Sequence, residues 1–103
     1  LLQAIEGELP VQTISFVEPA MIKRFYLASY GLIDYLIKIV DRAVWLVQVQ
    51  DLVGIELPVL AQAFEDEVWS YATEDRNPFS ASFNFQPLFG KREPFETFEE
   101  SST

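Results

Sequence analysis

The sequence predicts a mainly α fold, a small helical bundle followed by an irregular, aromatic-rich C-terminal tail. Three observations predict it. Between residues 18 and 72, apolar residues recur at helical spacing. Gly7, Gly31 and Gly54 fall where that pattern breaks. After Thr73, Asn77-Pro78 and Gln86-Pro87 interrupt any helix while phenylalanines accumulate. The chain therefore divides into a bundle over residues 1–72 and a tail over residues 73–103.

Residues 1–6 read as the last turns of a helix that Gly7 ends. Residues 8–17 form a connector. Val11, Ile14, Phe16 and Val17 suit a strand but have no evident partner, so the expectation is an extended linker pinned to the core by those side chains. Glu18-Pro19 opens the next helix, with proline at the first position, where its missing N–H costs nothing. Ile22, Phe25, Tyr26 and Ser29 are expected on its inner face, flanked by Met21 and Ala28, with Lys23 and Arg24 pointing elsewhere. Gly31 supplies the left-handed cap.

The longest helix is expected over residues 32–50. Ile33, Leu36, Ile37, Val40, Ala43, Val44 and Val47 make one apolar stripe, and Leu32, Tyr35, Ile39, Leu46 and Val49 widen it. A helix this apolar requires cover on two sides. Asp34 and Lys38 stand four residues apart, but such a surface pair contributes only ~0.3–0.5 kcal/mol. Residues 51–56 are a turn, with Gly54 as its flexible point and Ile55 entering the core. A last helix runs from residue 57 or 58 to residue 72. Leu57, Leu60, Ala61, Phe64, Val68 and Tyr71 face inward, and Gln62, Glu65, Asp66 and Ser70 face water.

The tail carries Phe79, Phe83, Phe85, Leu88, Phe89, Phe95 and Phe98 among acids and serines. Disordered segments are poor in aromatics, so the tail either packs back on the bundle or docks on another molecule. Phe79, Phe83, Phe85, Leu88 and Phe89 are its candidate partner-binding residues, a hot-spot composition. Alternation over residues 82–86 suits a short strand. Residues 99–103 have the composition of a frayed terminus.

Composition narrows the function classes. Seven basic against sixteen acidic residues give a net charge of −9, which repels phosphate backbones and anionic membranes. Without cysteine there are no disulfides or thiolate metal sites, and without histidine the commonest general base and zinc ligand is missing. The apolar run 33–49 is broken by Asp34, Lys38, Asp41 and Arg42, so it is not a membrane span. No secretory signal opens the sequence, and a cytoplasmic location is expected. Its opening inside a helix-like pattern suggests the C-terminal part of a longer protein.

Catalytic signatures are absent. Neither the phosphate-binding pattern G-x-x-x-x-G-K-[ST] nor an aliphatic run ending in paired acids occurs, and Gly90-Lys91-Arg92 lacks the preceding glycine. Glu65-Asp66-Glu67 does not converge on a metal, because adjacent helical residues splay ~100° apart. Asn77-Pro78-Phe79 is similar to a short peptide-docking motif of eukaryotic trafficking, but three residues carry little information.

The order of elements nevertheless has a precedent. Leu9-Pro10-Val11, the helix from Glu18 to Ser29, Gly31-Leu32-Ile33 with Leu36, Ile39 and Ala43, and Ile55 before a last helix together resemble part of a known family. It is the C-terminal region of AAA+ transposition ATPases of the TniB/TnsC type, and the resemblance covers residues 1–72. It implies an AAA+ helical lid that closes over ATP at a subunit boundary and couples nucleotide state to self-association. It also implies recruitment of transposase and target-selector proteins by lid or tail. ATP, magnesium and DNA would be held by the parent's core, which lies outside this sequence. Gly31, Tyr35 and Lys38 would be the nucleotide-adjacent residues. The chain departs from the family where a small residue and an arginine commonly approach the phosphates: here stand Asp34 and Tyr35, and an aspartate repels triphosphate. The competing expectation is a free-standing acidic helical adaptor that binds a partner through its aromatic tail.

Overall fold

A computed structural model describes residues 1–96 and shows a mainly helical protein. Phe98 and residues 99–103, read above as part of the tail, lie outside the described residues. In chain order the elements are α1 (Leu2–Gly7), β1 (Gln12–Thr13), α2 (Pro19–Ser29), α3 (Ile33–Val49), β2 (Gly54–Ile55) and α4 (Leu57–Glu67).

Helix α2 starts where Glu18 is extended and Pro19 occupies the first turn. It ends at a tight corner in which both Tyr30 (φ 55°) and Gly31 (φ 72°) are left-handed. Buried Ser29 ties the corner together. Its hydroxyl donates to the Phe25 carbonyl at 2.8 Å and accepts from the Gly31 N–H at 3.2 Å. A Cβ on Gly31 would also lie 3.0 Å from the exposed Tyr26 ring, which can shift, so it is the positive φ that favours glycine there.

Helix α3 packs on both α2 and α4, more extensively on α4. Its buried face comprises Leu36, Ile39, Val40, Ala43, Leu46 and Val47. The expected stripes thus supply the core only in part: Ile33, Ile37 and Val49 remain exposed, because α2 and α4 cover one side and leave the Ile33–Ile37 edge open. Asp34 and Lys38 make no ion pair among the described residues. The Lys38 ammonium lies over the Tyr35 ring instead, 5.8 Å from its centroid.

The connector before α2 does have a strand partner, contrary to the sequence reading. Gln12 and Thr13 pair in parallel with Gly54 and Ile55, and the Ile14 N–H donates to the Ile55 carbonyl at 3.0 Å. Gly54 is accordingly not a flexible point. A Cβ there would stand 2.6 Å from the Gln12 carbonyl oxygen, so glycine permits the approach of two backbones. The pairing seats Phe16 and Ile55 fully in the core.

Two further expectations are corrected. Met21, Phe25, Leu27 and Ala28 form the buried face of α2, while Ile22 and Tyr26 are exposed. The helix is rotated toward the tail, which covers a side of it that the sequence reading left to solvent. Helix α4 ends at Glu67 rather than residue 72, and Tyr71 is 85% exposed. The Trp69 N–H reaches back to the Phe64 carbonyl at 3.1 Å, widening the last turn as the chain reverses.

That reversal brings the tail onto the bundle. The Asn77 side chain donates to the Ala61 carbonyl at 3.0 Å and accepts from the Phe79 N–H at 3.0 Å, which inserts Phe79 edge-on between Phe25 (centroids 5.0 Å) and Phe64 (6.5 Å). Arg24 donates to the carbonyls of Pro78 and Ser80 at 2.9 and 2.7 Å, replacing partners this irregular backbone lacks. Phe95 returns to Tyr30 and Tyr35, at 5.4 and 5.7 Å between centroids. Phe16, Phe25, Phe64, Phe79, Leu88 and Phe95 therefore belong to one core. Residues 82–86 form no strand, since Phe85 is left-handed at φ 58°.

Candidate functional site

The three nucleotide-adjacent candidates do not converge. Gly31 lines a groove against α1 and α2. Tyr35 lies edge-on to Phe95, and Lys38 lies over the Tyr35 ring. No arrangement of these groups offers a triphosphate several donors at one point, and exposed Asp34 adds a repulsive charge beside them. The residues present do not fit ATP, and no step through it follows from them. Among the described residues no cluster of three or more acids forms a cation site either. Glu67 is committed to Arg42 at 2.7 Å and Asp66 accepts from Gln62 at 2.8 Å.

The tail candidates have a structural role. Phe79, Phe83 and Leu88 are buried, and Phe85 and Phe89 are half-buried. Phe85 lies tilted against Phe83 at 5.1 Å and is approached by Lys23 and Arg24 at 5.6 and 4.9 Å from its centroid, and Phe89 lies against Tyr30 at 5.3 Å. Asn77-Pro78-Phe79 is wholly buried, so it works as an internal clip and presents no motif to a partner.

Arg76, which the sequence reading passed over, holds the tail in this form. Its guanidinium forms a two-pronged pair with Glu93 (2.6 and 2.7 Å) and donates to Asn84 Oδ1 and the carbonyls of Gln86 and Pro87. One planar fork thus gathers backbone and side chains that no helix or sheet organises. The Arg76 hydrogen bonds hold the Glu93 carboxyl below its ordinary pKa, against an opposing push from burial. Burial lowers the Arg24 pKa, though an arginine remains charged at neutral pH. The available signal was a lone arginine beside Asn77-Pro78 in an acidic, proline-broken stretch.

What remains open on the surface is apolar. A groove of about 390 Å³ runs between α1, α2 and the start of α3, floored by Phe25 and Leu36 and rimmed by Val17, Ile22, Tyr26 and Ile33. The rim residues are 43–58% exposed, a contiguous apolar patch of a kind that marks interaction sites. Its lining includes no aspartate, glutamate, lysine or arginine. The sequence reading missed it because Ile22, Tyr26 and Ile33 fit the helical period and were assigned to the core.

Glu18 and Asp34 are exposed immediately after Val17 and Ile33, and Glu6 follows Gln3 by one turn on α1, its carboxylate accepting the Phe16 N–H. The bases of α2 and α3 are directed elsewhere: Lys23 and Arg24 to Phe85, Lys38 to Tyr35, and Arg42 to Glu67 and the Trp45 ring.

No protein-family model, curated protein or solved structure matches the chain.

Proposed function

We propose that this chain is the helical lid and tail of a DNA-transposition AAA+ ATPase of the TniB/TnsC type, a moving and partner-contacting part with no bond chemistry of its own. The observation that carries the reading is the order of elements. A helix ends in a left-handed corner at Tyr30-Gly31, a long apolar helix follows, and a glycine-tight return leads into a last helix. Parallel pairing of Gln12–Thr13 with Gly54–Ile55 braces the connector against the entrance of α4. In this role the parent's core binds ATP, magnesium and DNA. The lid passes nucleotide state into self-association and into recruitment of transposase and target-selector proteins.

The native reading frame around Leu1 tests the proposal, together with ATP binding by the full gene product. Walker motifs upstream and nucleotide-dependent assembly that is lost on deleting residues 1–96 support it. A gene product without a nucleotide-binding region removes it.

A second reading, a free-standing acidic helical adaptor, is favoured by the open apolar groove. With the tail rings packed in the core, such an adaptor meets its partner through the groove rather than through the tail.

A further inference from the structure

We infer that a second groove, between α4 and residues 72–82, receives a short basic peptide segment of a partner protein, with an arginine seated against Glu65 and Glu74. The inference stands under either reading of the chain's role, since it uses only this groove and the charges that line it.

The groove exists because α4 stops at Glu67 and the chain reverses alongside it. Asn77 clips one wall to the other through the Ala61 carbonyl. Buried Asn77 and Phe79 lie at its base, and exposed Pro58, Ala81 and Ser82 stand at its rim. The space amounts to about 540 Å³. That is within the ~300–1,000 Å³ of small-ligand clefts, so it takes a few side chains of a peptide and not the face of a helix.

The polar groups of the lining select the occupant. Asn77 is spent on Ala61 and Phe79, Gln62 donates to Asp66 at 2.8 Å, and Ser80 accepts the Ser82 N–H at 3.1 Å. Two carboxylates are left over. Glu65 is half-buried and Glu74 is exposed; both line the groove, and neither has a hydrogen bond or ion pair among the described residues. Among those residues no lysine or arginine lines it. Arg24, Arg42 and Arg76 are engaged with tail carbonyls, Glu67 and Glu93 respectively.

A half-buried carboxylate without a counter-ion has lost hydration with nothing in return, so a cation brought to it gains more than at an open surface. Arginine meets the requirement best. Its planar fork matches carboxylate geometry, and its methylene stem lies along the apolar wall of Leu57, Ala61 and Ala72. An acidic occupant is repelled. A second copy of this chain is disfavoured, because both partners would carry −9.

Three capped pentapeptides, with leucine on each side of a central arginine, citrulline or glutamate, test this on the full 103-residue chain. Citrulline keeps the shape of arginine and removes its charge. Titration followed by backbone amide shifts gives both affinity and location. The arginine peptide is expected to bind ~5-fold or more tightly than the citrulline peptide at low salt, with the gap narrowing as salt rises. The glutamate peptide gives no saturable shifts. The largest shifts fall at Ala61, Glu65, Ala72 and Ser80. Glu65→Gln with Glu74→Gln removes the preference for arginine over citrulline. Glu8→Gln with Asp34→Asn takes the same charge from exposed positions outside the groove and leaves the preference within ~2-fold. Ala81→Lys, at the exposed rim, supplies an ammonium from the chain itself and weakens the arginine peptide ~5-fold or more.

Equal affinity for the arginine and citrulline peptides overturns the inference, as does failure of the arginine peptide to bind or shifts confined to other faces. A preference that survives Glu65→Gln with Glu74→Gln overturns it too, and so does an equal loss in the Glu8→Gln with Asp34→Asn control. Spermidine producing the same shifts at the same concentration assigns the two acids to small cations and overturns it. Concentration-dependent dimerisation abolished by Ala81→Lys assigns the groove to a second copy and likewise overturns it. None of these outcomes depends on whether the parent binds ATP, so they separate this inference from the proposed function.

Discussion

Phe79→Ala asks whether the aromatic tail belongs to the fold or to a partner. The Phe79 ring is 1% exposed and meets Phe25 and Phe64 edge-on at 5.0 and 6.5 Å, and its backbone is held by Asn77. Truncating so buried a ring removes its transfer free energy and leaves a cavity among Phe25, Phe64 and neighbouring apolar groups, a loss of about 3–5 kcal/mol. For a domain of this size each 1 kcal/mol lowers Tm by roughly 4–8 °C, so the variant should melt about 12 °C or more below the parent chain. Urea unfolding followed by tryptophan fluorescence and by far-UV circular dichroism is the assay. The two probes should give coincident transitions, both displaced to lower urea. Tyr71→Ala, at a side chain 85% exposed, is the control and should change stability by no more than about 0.5 kcal/mol. A loss below about 1 kcal/mol for Phe79→Ala, or a separate early transition for the tail, would show that the ring is not core and refute the reasoning.

Other perturbations probe the joints. Gly54→Ala places a Cβ 2.6 Å from the Gln12 carbonyl oxygen and should cost about 1–3 kcal/mol by urea midpoint as β1 and β2 are pushed apart. Gly31→Ala, at φ 72° and against the Tyr26 ring, should cost about 1–2 kcal/mol in the same assay. Arg76→Ala strips the tail of its shared donor and leaves Glu93 with only the Gly90 N–H, an expected loss of about 1–3 kcal/mol, with faster amide exchange across residues 84–93. Because the folded Glu93 pKa lies below its ordinary value, its contribution is complete above the unfolded pKa and fades as pH falls through the lower folded one. Acid titration of stability should therefore be shallower in Glu93→Gln; identical slopes would deny the pair a role.

Local pattern revealed the helices more faithfully than their surroundings. The α2–Gly31–α3 corner was legible because proline, a left-handed glycine and a helical apolar period all act within a few residues. The inward face of α2 was not. Seven of its eleven residues, Ala20, Met21, Ile22, Phe25, Tyr26, Leu27 and Ala28, are apolar or aromatic, so period alone fits more than one face, and the tail decides which is covered. The β1–β2 pairing joins two-residue segments on either side of α2 and α3, too short and too distant to leave a pattern. In the tail, the alternation at residues 82–86 suggested a strand, but Arg76 and Asn77 impose turns through side-chain bonds that periodicity does not encode. The groove was hidden for a related reason. An exposed isoleucine has the same letter as a buried one, and only the absence of a covering element distinguishes Ile22 and Ile33 from Leu36.

The measurement closest to the central claim is a two-dimensional nuclear Overhauser experiment on the full chain, with its phenylalanine rings labelled. The account predicts cross-peaks from the Phe79 ring to those of Phe25 and Phe64, and from Phe95 to Tyr30 and Tyr35, while Ile22 and Ile33 show none to the tail. Phenylalanine signals at random-coil positions, without contacts between residues 79–95 and the helices, would contradict it and return the tail to the role of a docking segment.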